Sequence, residues 1–285
     1  MDACADPVFD IVLPKPQRAA AVFASPHSGR DYPPDFLAQS ALDAETLRRS
    51  EDSYVDELFD TAPEHGAPLL RALFPRAYLD VNRGPYELDP AMFDAPLPPY
   101  VNSKSPRVAA GLGTIARLVG TGAEIYKIKL SFAEVEERIN RLYHPYHAAL
   151  SDLVDSTVER FGCCLLIDCH SMPSAGGEDD LTGFDVVLGD CYGAACAPSV
   201  VTTTESFLRH KGYAVARNTP YAGGFTTRHY GRPAAGRHVL QIEVNRRLYM
   251  DETTHQKLPA FDRVRADIEE LIVILTRLAT TELRP

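Results

Sequence analysis

A short segment near the middle of the chain constrains the fold more than any other part of the sequence. Residues 163–167 are apolar, and the run then ends in Asp168 and His170 before Pro173 breaks the pattern. This pattern is typical of a central strand in an open α/β sheet, which binds its ligands at the carboxyl ends of its strands. The segment therefore predicts a buried strand that carries an acid and a histidine to that edge.

The same pattern occurs earlier in the chain. Residues 20–25, with the sequence Ala-Ala-Val-Phe-Ala-Ser, lead directly into Pro26, His27, Ser28 and Gly29. Packing alone does not readily explain two strands that each end in a histidine. We therefore predict that His27 and His170 belong to one metal site.

Segments with strand and helix patterns alternate along the rest of the chain. Strands are predicted over residues 67–74, 184–189, 213–217 and 238–244, and helices over 43–62, 131–158 with a kink near Pro145, 197–212 and 258–278. This alternation implies a mostly parallel sheet covered by helices on both faces, which is a three-layer α/β/α arrangement. Because no convincing linker interrupts it, we expect one catalytic domain over residues 1–285.

Composition limits the class of protein and its surroundings. The net charge of −10, from 29 basic and 39 acidic residues, disfavours a nucleic-acid-binding protein. No apolar run approaches the roughly 20 residues that cross a bilayer, and the N-terminus has no export pattern. Cys163, Cys164 and Cys169 lie on one predicted strand, where they make poor disulfide partners. We expect a cytoplasmic protein with reduced thiols that binds neither nucleic acid nor membrane, and the sequence leaves homo-oligomers open.

A catalytic zinc ion typically takes three protein ligands, from imidazole and carboxylate groups, and keeps one open position. His27 and His170 would supply two of these ligands. The third would come from the acidic pair Glu51 and Asp52, on the predicted first helix. Neighbouring residues of a helix point about 100° apart, so the spacing does not choose between the two.

Glu243 is a candidate general base. It lies between Ile242 and Val244 in the predicted strand 238–244, and apolar surroundings tend to raise the pKa of a glutamate. A raised pKa would suit this side chain to accept a proton from an attacking water molecule. The alternative interpretation is an ion pair between Glu243 and an arginine.

Several cationic or polar side chains are candidates for binding an anionic substrate. Asn82 and Arg83 follow a predicted strand, and Arg228 lies in a glycine-bracketed loop predicted over residues 221–231. Arginine suits bidentate recognition of a carboxylate. His144, near the predicted kink, would either face the cleft and bind substrate or pack on the helix surface, as would His147. Together with a metal site, these residues predict an anionic substrate about the size of an amino acid.

The candidates lie within short segments that form a specific combination. The segments are Ser-Pro-His-Ser-Gly at 25–29, Glu-Asp at 51–52 with Val-Asp-Glu-Leu at 55–58, Asp-Val-Asn-Arg at 80–83, Pro-Tyr-His at 145–147, Asp-Cys-His-Ser-Met at 168–172, Tyr-Ala-Gly-Gly at 221–224, and Gln-Ile-Glu-Val-Asn-Arg at 241–246 with Leu-Tyr-Met at 248–250. In this combination, nearly the whole chain resembles the N-formylglutamate amidohydrolase family.

The resemblance implies a mixed sheet similar to that of zinc carboxypeptidases and their deacylase relatives. It also implies a zinc-dependent hydrolase that removes the formyl group from an acidic amino acid such as N-formyl-L-glutamate, giving formate and glutamate late in histidine breakdown. Carried over residue by residue, the family pattern gives His27, Asp52 and His170 as metal ligands and Glu243 as the base. Asn82 and Arg83 resemble the pair that holds a substrate's α-carboxylate in carboxypeptidase-like enzymes.

One segment departs from the family pattern. Family members of the histidine pathway resemble Thr-Asp-Trp-His where this chain has Glu51, Asp52, Ser53 and Tyr54. The departure indicates a sister branch with a different acyl group or amino acid. Two alternatives therefore stay open, namely a metallo-deacylase of another N-acyl amino acid or small peptide, and a non-catalytic binder of acidic metabolites.

Overall fold

A computed structural model describes residues 7–120, 122–174 and 183–283. Its strands are β1 (Phe9–Val12), β2 (Ala21–Ser25), β3 (Leu69–Ala72), β4 (Cys164–Met172), β5 (Val186–Gly189), β6 (Val215–Arg217) and β7 (Arg237–Asn245). Its helices are α1 (Pro34–Gln39), α2 (Ala44–Arg48), α3 (Val55–Leu58), α4 (Pro106–Ala109), α5 (Phe132–Arg138), α6 (His144–Phe161), α7 (Pro198–His210), α8 (Phe225–Tyr230) and α9 (Phe261–Thr281). Within these described ranges, no helix has both the length and the apolar character needed to span a membrane.

Seven strands form one mixed sheet in the order β1-β3-β2-β4-β7-β5-β6. The pairs β2–β4, β4–β7 and β5–β6 are parallel, whereas β5 and β7 are antiparallel. The predicted α/β class and the mixed, mostly parallel sheet are therefore confirmed.

The chain divides into two compact units, and each unit is built from three separate segments. The first unit comprises Met1–Asp10, Pro26–Glu51 and Arg71–Ala149, and the second comprises Ile11–Ser25, Asp52–Leu70 and Leu150–Pro285. The expectation of one catalytic domain over residues 1–285 stays a prediction.

The apolar core of the second unit lies on one face of its strands. Alternate residues of β4 and β7 join a buried cluster with α3, α7 and α9, and these strand residues are Leu165, Ile167, Cys169, Leu240, Ile242 and Val244. Successive side chains of a strand point to opposite faces. The polar residues between them, Asp168 and His170 on β4 and Gln241 and Glu243 on β7, therefore point to the other face.

In the first unit, Ser131 caps the N-terminus of α5. The hydroxyl of Ser131 accepts a hydrogen bond from the backbone N–H of Glu134 at 3.2 Å, and α5 begins one residue after Ser131. A π-helical turn, Ile139–Tyr143, then precedes α6, whose second residue is Pro145. Proline tolerates the first turn of a helix but not its interior, because it has no N–H to donate. The predicted interruption near His144 is therefore confirmed.

The single helix predicted over residues 43–62 is wrong. Asp43 caps α2, because its carboxylate accepts the N–H of Thr46 at 2.7 Å. However, α2 ends at Arg48, and Tyr54, just before α3, has a φ of 66° in the left-handed region. A helix cannot continue through this conformation. Glu51 and Asp52 thus lie in a break between helices, and the argument from helical spacing does not apply to them.

The cysteines within the described ranges form no disulfide. Cys163, Cys164, Cys169 and Cys196 are buried, whereas Cys191 is half-buried. Burial raises the pKa of the thiols of Cys164, Cys169, Cys191 and Cys196. Burial therefore favours the protonated form of these four thiols.

Candidate active site

Two neighbouring strands of the second unit bring titratable side chains to the same face of the sheet. In the parallel register of β4 and β7, Asp168 lies opposite Gln241, and His170 lies opposite Glu243. All four residues are buried. The register thus places the predicted metal ligand His170 beside the predicted base Glu243.

His170 lies between two carboxylates. Its Nδ1 atom is 3.0 Å from Oδ2 of Asp52, and its Nε2 atom is 3.0 Å from Oδ1 of Asp168. Burial alone would lower the pKa of His170, but the carboxylates of Asp168, Asp52 and Glu243 outweigh burial and hold this pKa well above its usual value. The surroundings of His170 therefore favour positive charge.

Asp52 is fully buried, and its second carboxylate oxygen is also bound. Oδ1 accepts hydrogen bonds from the hydroxyl of Ser171 at 3.2 Å and from Nη2 of Arg246 at 3.0 Å. Nε of Arg246 also donates to the hydroxyl of Ser171 at 3.0 Å. Arg246 and Ser171 therefore fix the orientation of Asp52. Sequence reasoning missed both roles, although Arg246 directly follows a buried strand, and that position was the available signal.

Glu51, the alternative carboxylate ligand, has different partners. One of its oxygens accepts a hydrogen bond from the hydroxyl of Tyr32 at 2.7 Å, and the other is 3.3 Å from Nε of Arg48. Asp52, in contrast, contacts the predicted ligand His170. The geometry therefore favours Asp52 over Glu51 as a metal ligand.

Glu243 is held by a neighbour on its own strand. Nε2 of Gln241 donates to Oε1 of Glu243 at 2.9 Å, and Oε1 of Gln241 accepts the backbone N–H of Gly224 at 2.8 Å. No pattern in the sequence indicated these bonds. Gln241 thus connects the segment before α8 to the predicted base through two hydrogen bonds.

In the first unit, His27 is anchored by Asp80. Nε2 of His27 is 2.8 Å from Oδ1 of Asp80, which also accepts the backbone N–H of Asn82 at 2.8 Å. Nη2 of Arg76 binds the other oxygen of Asp80 at 2.8 Å, and Nη2 of Arg83 is 3.5 Å from it. Burial would raise the pKa of Asp80, but Arg83, His27 and Arg76 together hold it well below its usual value. Because Asp80 engages Nε2, Nδ1 is the nitrogen that His27 would present to a metal ion.

The predicted carboxylate-binding pair, Asn82 and Arg83, is buried and held by the backbone. Nη1 of Arg83 donates to the carbonyl of Asn82 at 2.7 Å, and Nε donates to the carbonyl of Leu112 at 2.8 Å. The hydroxyl of Tyr143 donates to the carbonyl of Arg83 at 2.7 Å. These bonds give the guanidinium group a fixed position.

The structure places His144 and His147 differently. His144 is the exposed first residue of α6, and its ring contacts the ring of Tyr143. Nε2 of His147 bonds the carbonyl oxygen of Val81 at 2.8 Å. His147, rather than His144, therefore supports the segment that contains Asn82.

Arg228 does not lie in a loop. Within the glycine-bracketed segment predicted as a loop, Phe225–Tyr230 forms α8, and Arg228 is an exposed residue of this helix. Its Nη2 atom donates to the carbonyl of Gly223 at 3.3 Å. The loop prediction is therefore wrong for the part that forms α8.

The three predicted metal ligands meet a geometric requirement for a shared ion. His27, Asp52 and His170 are all buried, and one donor atom from each lies within 4.8 Å of the donor atoms of the other two. Two imidazoles and a carboxylate are also a ligand set that catalytic zinc sites use. The residues present therefore fit a divalent metal ion such as zinc.

The buried histidines and carboxylates form a candidate metal site on an α/β fold, and the family match defines the protein as an amidohydrolase. The chain belongs to the N-formylglutamate amidohydrolase family, whose family model matches residues 19–250. It is 39% identical to the N-formylglutamate amidohydrolase of Ralstonia eutropha JMP134. The crystal structure of that protein matches with a TM-score of 0.89 over 95% of this chain and 98% of that chain.

Two Pseudomonas proteins with the name N-formylglutamate deformylase are also similar to this chain. The protein of Pseudomonas putida is 28% identical over 242 residues, which cover 83% of this chain and 84% of the relative. The protein of Pseudomonas aeruginosa PAO1 is 29% identical over 264 residues, which cover 90% of this chain and 92% of the relative. The resemblance stated from the sequence motifs is thus confirmed.

Proposed function

We propose that the protein hydrolyses N-formyl-L-glutamate to formate and L-glutamate, with one zinc ion as its cofactor. Family membership and the names of the relatives support the substrate. The observation that carries the proposal is the buried donor set of His27, Asp52 and His170, with donor atoms within 4.8 Å of one another.

His27, Asp52 and His170 would hold the zinc ion. When bound, zinc supplies Lewis-acid activation of the formyl carbonyl and of the attacking water. Asp80 fixes the ring of His27 through Nε2, and Arg246 fixes the carboxylate of Asp52. Such outer contacts orient metal ligands and maintain their affinity.

Glu243 would move the proton that the reaction requires. Its carboxylate accepts a proton from the water whose oxygen bonds to the formyl carbon. It then returns this proton to the amine nitrogen as the C–N bond breaks. Glu243 lies opposite His170 in the paired strands, which supports this role.

Asn82 and Arg83 would bind the α-carboxylate of the substrate. Their burial and fixed hydrogen bonds support this role, because a preorganised guanidinium loses little entropy when it binds a carboxylate. We retain Arg228 and His144 as candidate contacts for the second carboxylate. In this role neither side chain would touch the bond that breaks, so replacing either with alanine should raise KM for the substrate and leave kcat nearly unchanged.

The first experiment measures formate and glutamate release from N-formyl-L-glutamate, before and after chelation and again after zinc is restored. His170→Ala should lose zinc, and Glu243→Gln should keep zinc but lose about 10²- to 10⁴-fold in kcat. His65→Ala and Glu205→Gln are the matched controls. Both residues are only partly buried, and they pair with Glu269 and Arg217, respectively, rather than with residues of the candidate site. A zinc-loaded protein that releases no formate would contradict the proposed substrate.

The departure at residues 51–54 favours a second candidate, a deacylase of another N-acyl amino acid. Ser53 and Tyr54 directly follow the proposed ligand Asp52, and Tyr54 is fixed by a hydrogen bond to the carbonyl of His255 at 2.7 Å. N-acetyl-L-glutamate, N-formyl-L-aspartate and N-formyl-L-methionine, assayed in parallel, separate the two candidates. Zinc binding with no turnover of any of them would favour a non-catalytic binder of acidic metabolites.

We also propose that the protein acts in the cytoplasm and in histidine breakdown. The absence of disulfides among the cysteines of the described ranges supports a reducing compartment. The pathway rests on the resemblance alone. Growth on histidine as the nitrogen source, with and without the functional chain, tests it.

A further inference from the structure

We propose that Gln241 is a positioning residue for Glu243, and that the backbone of Gly224 fixes Gln241 in turn. This inference rests on the proposed role of Glu243 as general base. It assigns a function to the Tyr-Ala-Gly-Gly segment at residues 221–224, which otherwise has none in the reaction.

The two partners of Gln241 determine the orientation of its side-chain amide. The backbone N–H of Gly224 can only donate, so the amide atom that faces it at 2.8 Å must be the oxygen. The amide NH₂ group then faces Oε1 of Glu243 at 2.9 Å, and an ionised carboxylate can only accept. Gln241 itself is 4% exposed, so water competes little for these bonds. The amide is therefore held in one orientation, with its N–H directed at Glu243.

This bond restricts a side chain that the strand alone does not fix. Gln241 and Glu243 are two residues apart on β7, so their side chains share one face of the sheet. The strand holds the backbone of Glu243, but a glutamate side chain still has three rotatable bonds. Because Oε1 of Glu243 is bound to Gln241, the carboxylate group is held in one orientation.

Gly224 is part of a turn that packs closely against Thr227 and Cys191. The neighbouring Gly223 has a φ of 123°, and a Cβ atom there would lie 2.9 Å from Cβ of Thr227. The carbonyl of Ala222 accepts the backbone N–H of Cys191 at 2.7 Å. The turn therefore requires glycine at position 223, and its backbone directs the N–H of Gly224 at Gln241.

The positions of these bonds predict a specific kinetic defect. Gln241→Met keeps the size of the side chain but removes the donor and the acceptor. Gln241→Asn keeps the amide but is one methylene shorter, so it cannot bind Gly224 and Glu243 together. Both variants should lower kcat for N-formyl-L-glutamate about 10- to 100-fold, because the base becomes misplaced. KM and zinc content should stay within about twofold, because Gln241 binds Glu243 and Gly224 rather than the metal ligands or the pair Asn82 and Arg83.

A double-mutant cycle separates positioning from a general structural role. Glu243→Asp shortens the side chain so that it no longer reaches Gln241, and it leaves a measurable rate. In that background Gln241→Met should change kcat by less than about twofold. Thr204→Val is the control, because it removes a buried hydrogen bond to the carbonyl of Val200 on α7 and should leave kcat unchanged.

The outcomes distinguish this inference from the proposed function. Wild-type kcat in both folded, zinc-loaded Gln241 variants would overturn the positioning role, as would an equal loss in the wild-type and Glu243→Asp backgrounds. Wild-type kcat in Glu243→Gln would instead overturn the base role itself. If Gln241→Met does not fold, Gln241→Asn still decides, since it keeps a polar amide in the same buried position.

Discussion

Replacing Asp80 with asparagine removes one charge from a buried network and keeps the size of the side chain. Asp80 binds His27, the N–H of Asn82 and the guanidinium of Arg76, and it lies beside Arg83. The variant therefore leaves two arginines without their shared carboxylate. It also exchanges a charged hydrogen-bond acceptor of His27 for a neutral amide.

The loss of stability follows from the burial of each partner. Removing one member of a buried ion pair costs about 3–5 kcal/mol. The side chain of Arg76 is 23% exposed and can be partly hydrated, and Arg83 keeps its bonds to two backbone carbonyls. We therefore expect about 3 kcal/mol, at the low end of that range. For a protein of this size, such a loss lowers Tm by about 6–12 °C.

Zinc binding should weaken in the same variant. A histidine that donates to a carboxylate is held in one tautomer and orientation, and losing such a partner typically costs about 10- to 100-fold in metal affinity. Thermal unfolding of the metal-free protein measures the first effect, and competition with a chromophoric chelator measures the second. Asp10→Asn is the matched control, because Asp10 is 43% exposed and its pairing with Arg71 should contribute less than about 1 kcal/mol.

A Tm within about 2 °C of the wild type would refute the stability argument, because that change corresponds to less than about 1 kcal/mol. Unchanged zinc affinity would separately refute the orientation of His27 by Asp80. The two measurements are independent, so either part of the reasoning can fail alone.

Two further predictions concern other ion pairs. Arg246→Lys keeps the charge beside Asp52 but cannot bind Asp52 and Ser171 together, so zinc affinity should fall about 10-fold in a chelator competition; equal affinity would show that charge alone suffices. Burial would raise the pKa of Glu205, but Arg209 and Arg217 outweigh it and lower this pKa. The stability that this pairing contributes is present above the unfolded pKa of about 4.3 and is lost as pH falls through the lower folded pKa. Glu205→Gln should therefore flatten the dependence of Tm on pH between about 5 and 3, and parallel curves would contradict this.

Helices and strands could be predicted from the sequence where the pattern that defines them lies within one continuous segment. The apolar run of β4 and the helical spacing of α9 are local patterns, and both were predicted within a few residues of their observed bounds. The break between α2 and α3 is different, because it depends on the bonds of Glu51 to Tyr32 and of Tyr54 to the carbonyl of His255. These partners are distant in sequence or outside any helical pattern, so periodicity does not reveal them.

The same distinction applies to the candidate site. His27 and His170 stood out because each lies just past the end of an apolar run in the sequence. Gln241 and Arg246 did not, because their contacts depend on three-dimensional neighbours that no single strand pattern contains. The π-helical turn before His144 interrupts the regular α-helical periodicity, so the direction of His147 does not follow from spacing alone.

The buried cysteines allow local unfolding of the protein to be measured by alkylation. A thiol reacts with an alkylating reagent only as an exposed thiolate, and burial suppresses both conditions at Cys164, Cys169 and Cys196. Cys191 is half-buried, so it should react from small fluctuations of the surface. The slow alkylation rates of Cys164, Cys169 and Cys196, read peptide by peptide, thus measure how often the sheet and the segment before α7 open, without any substitution in the chain.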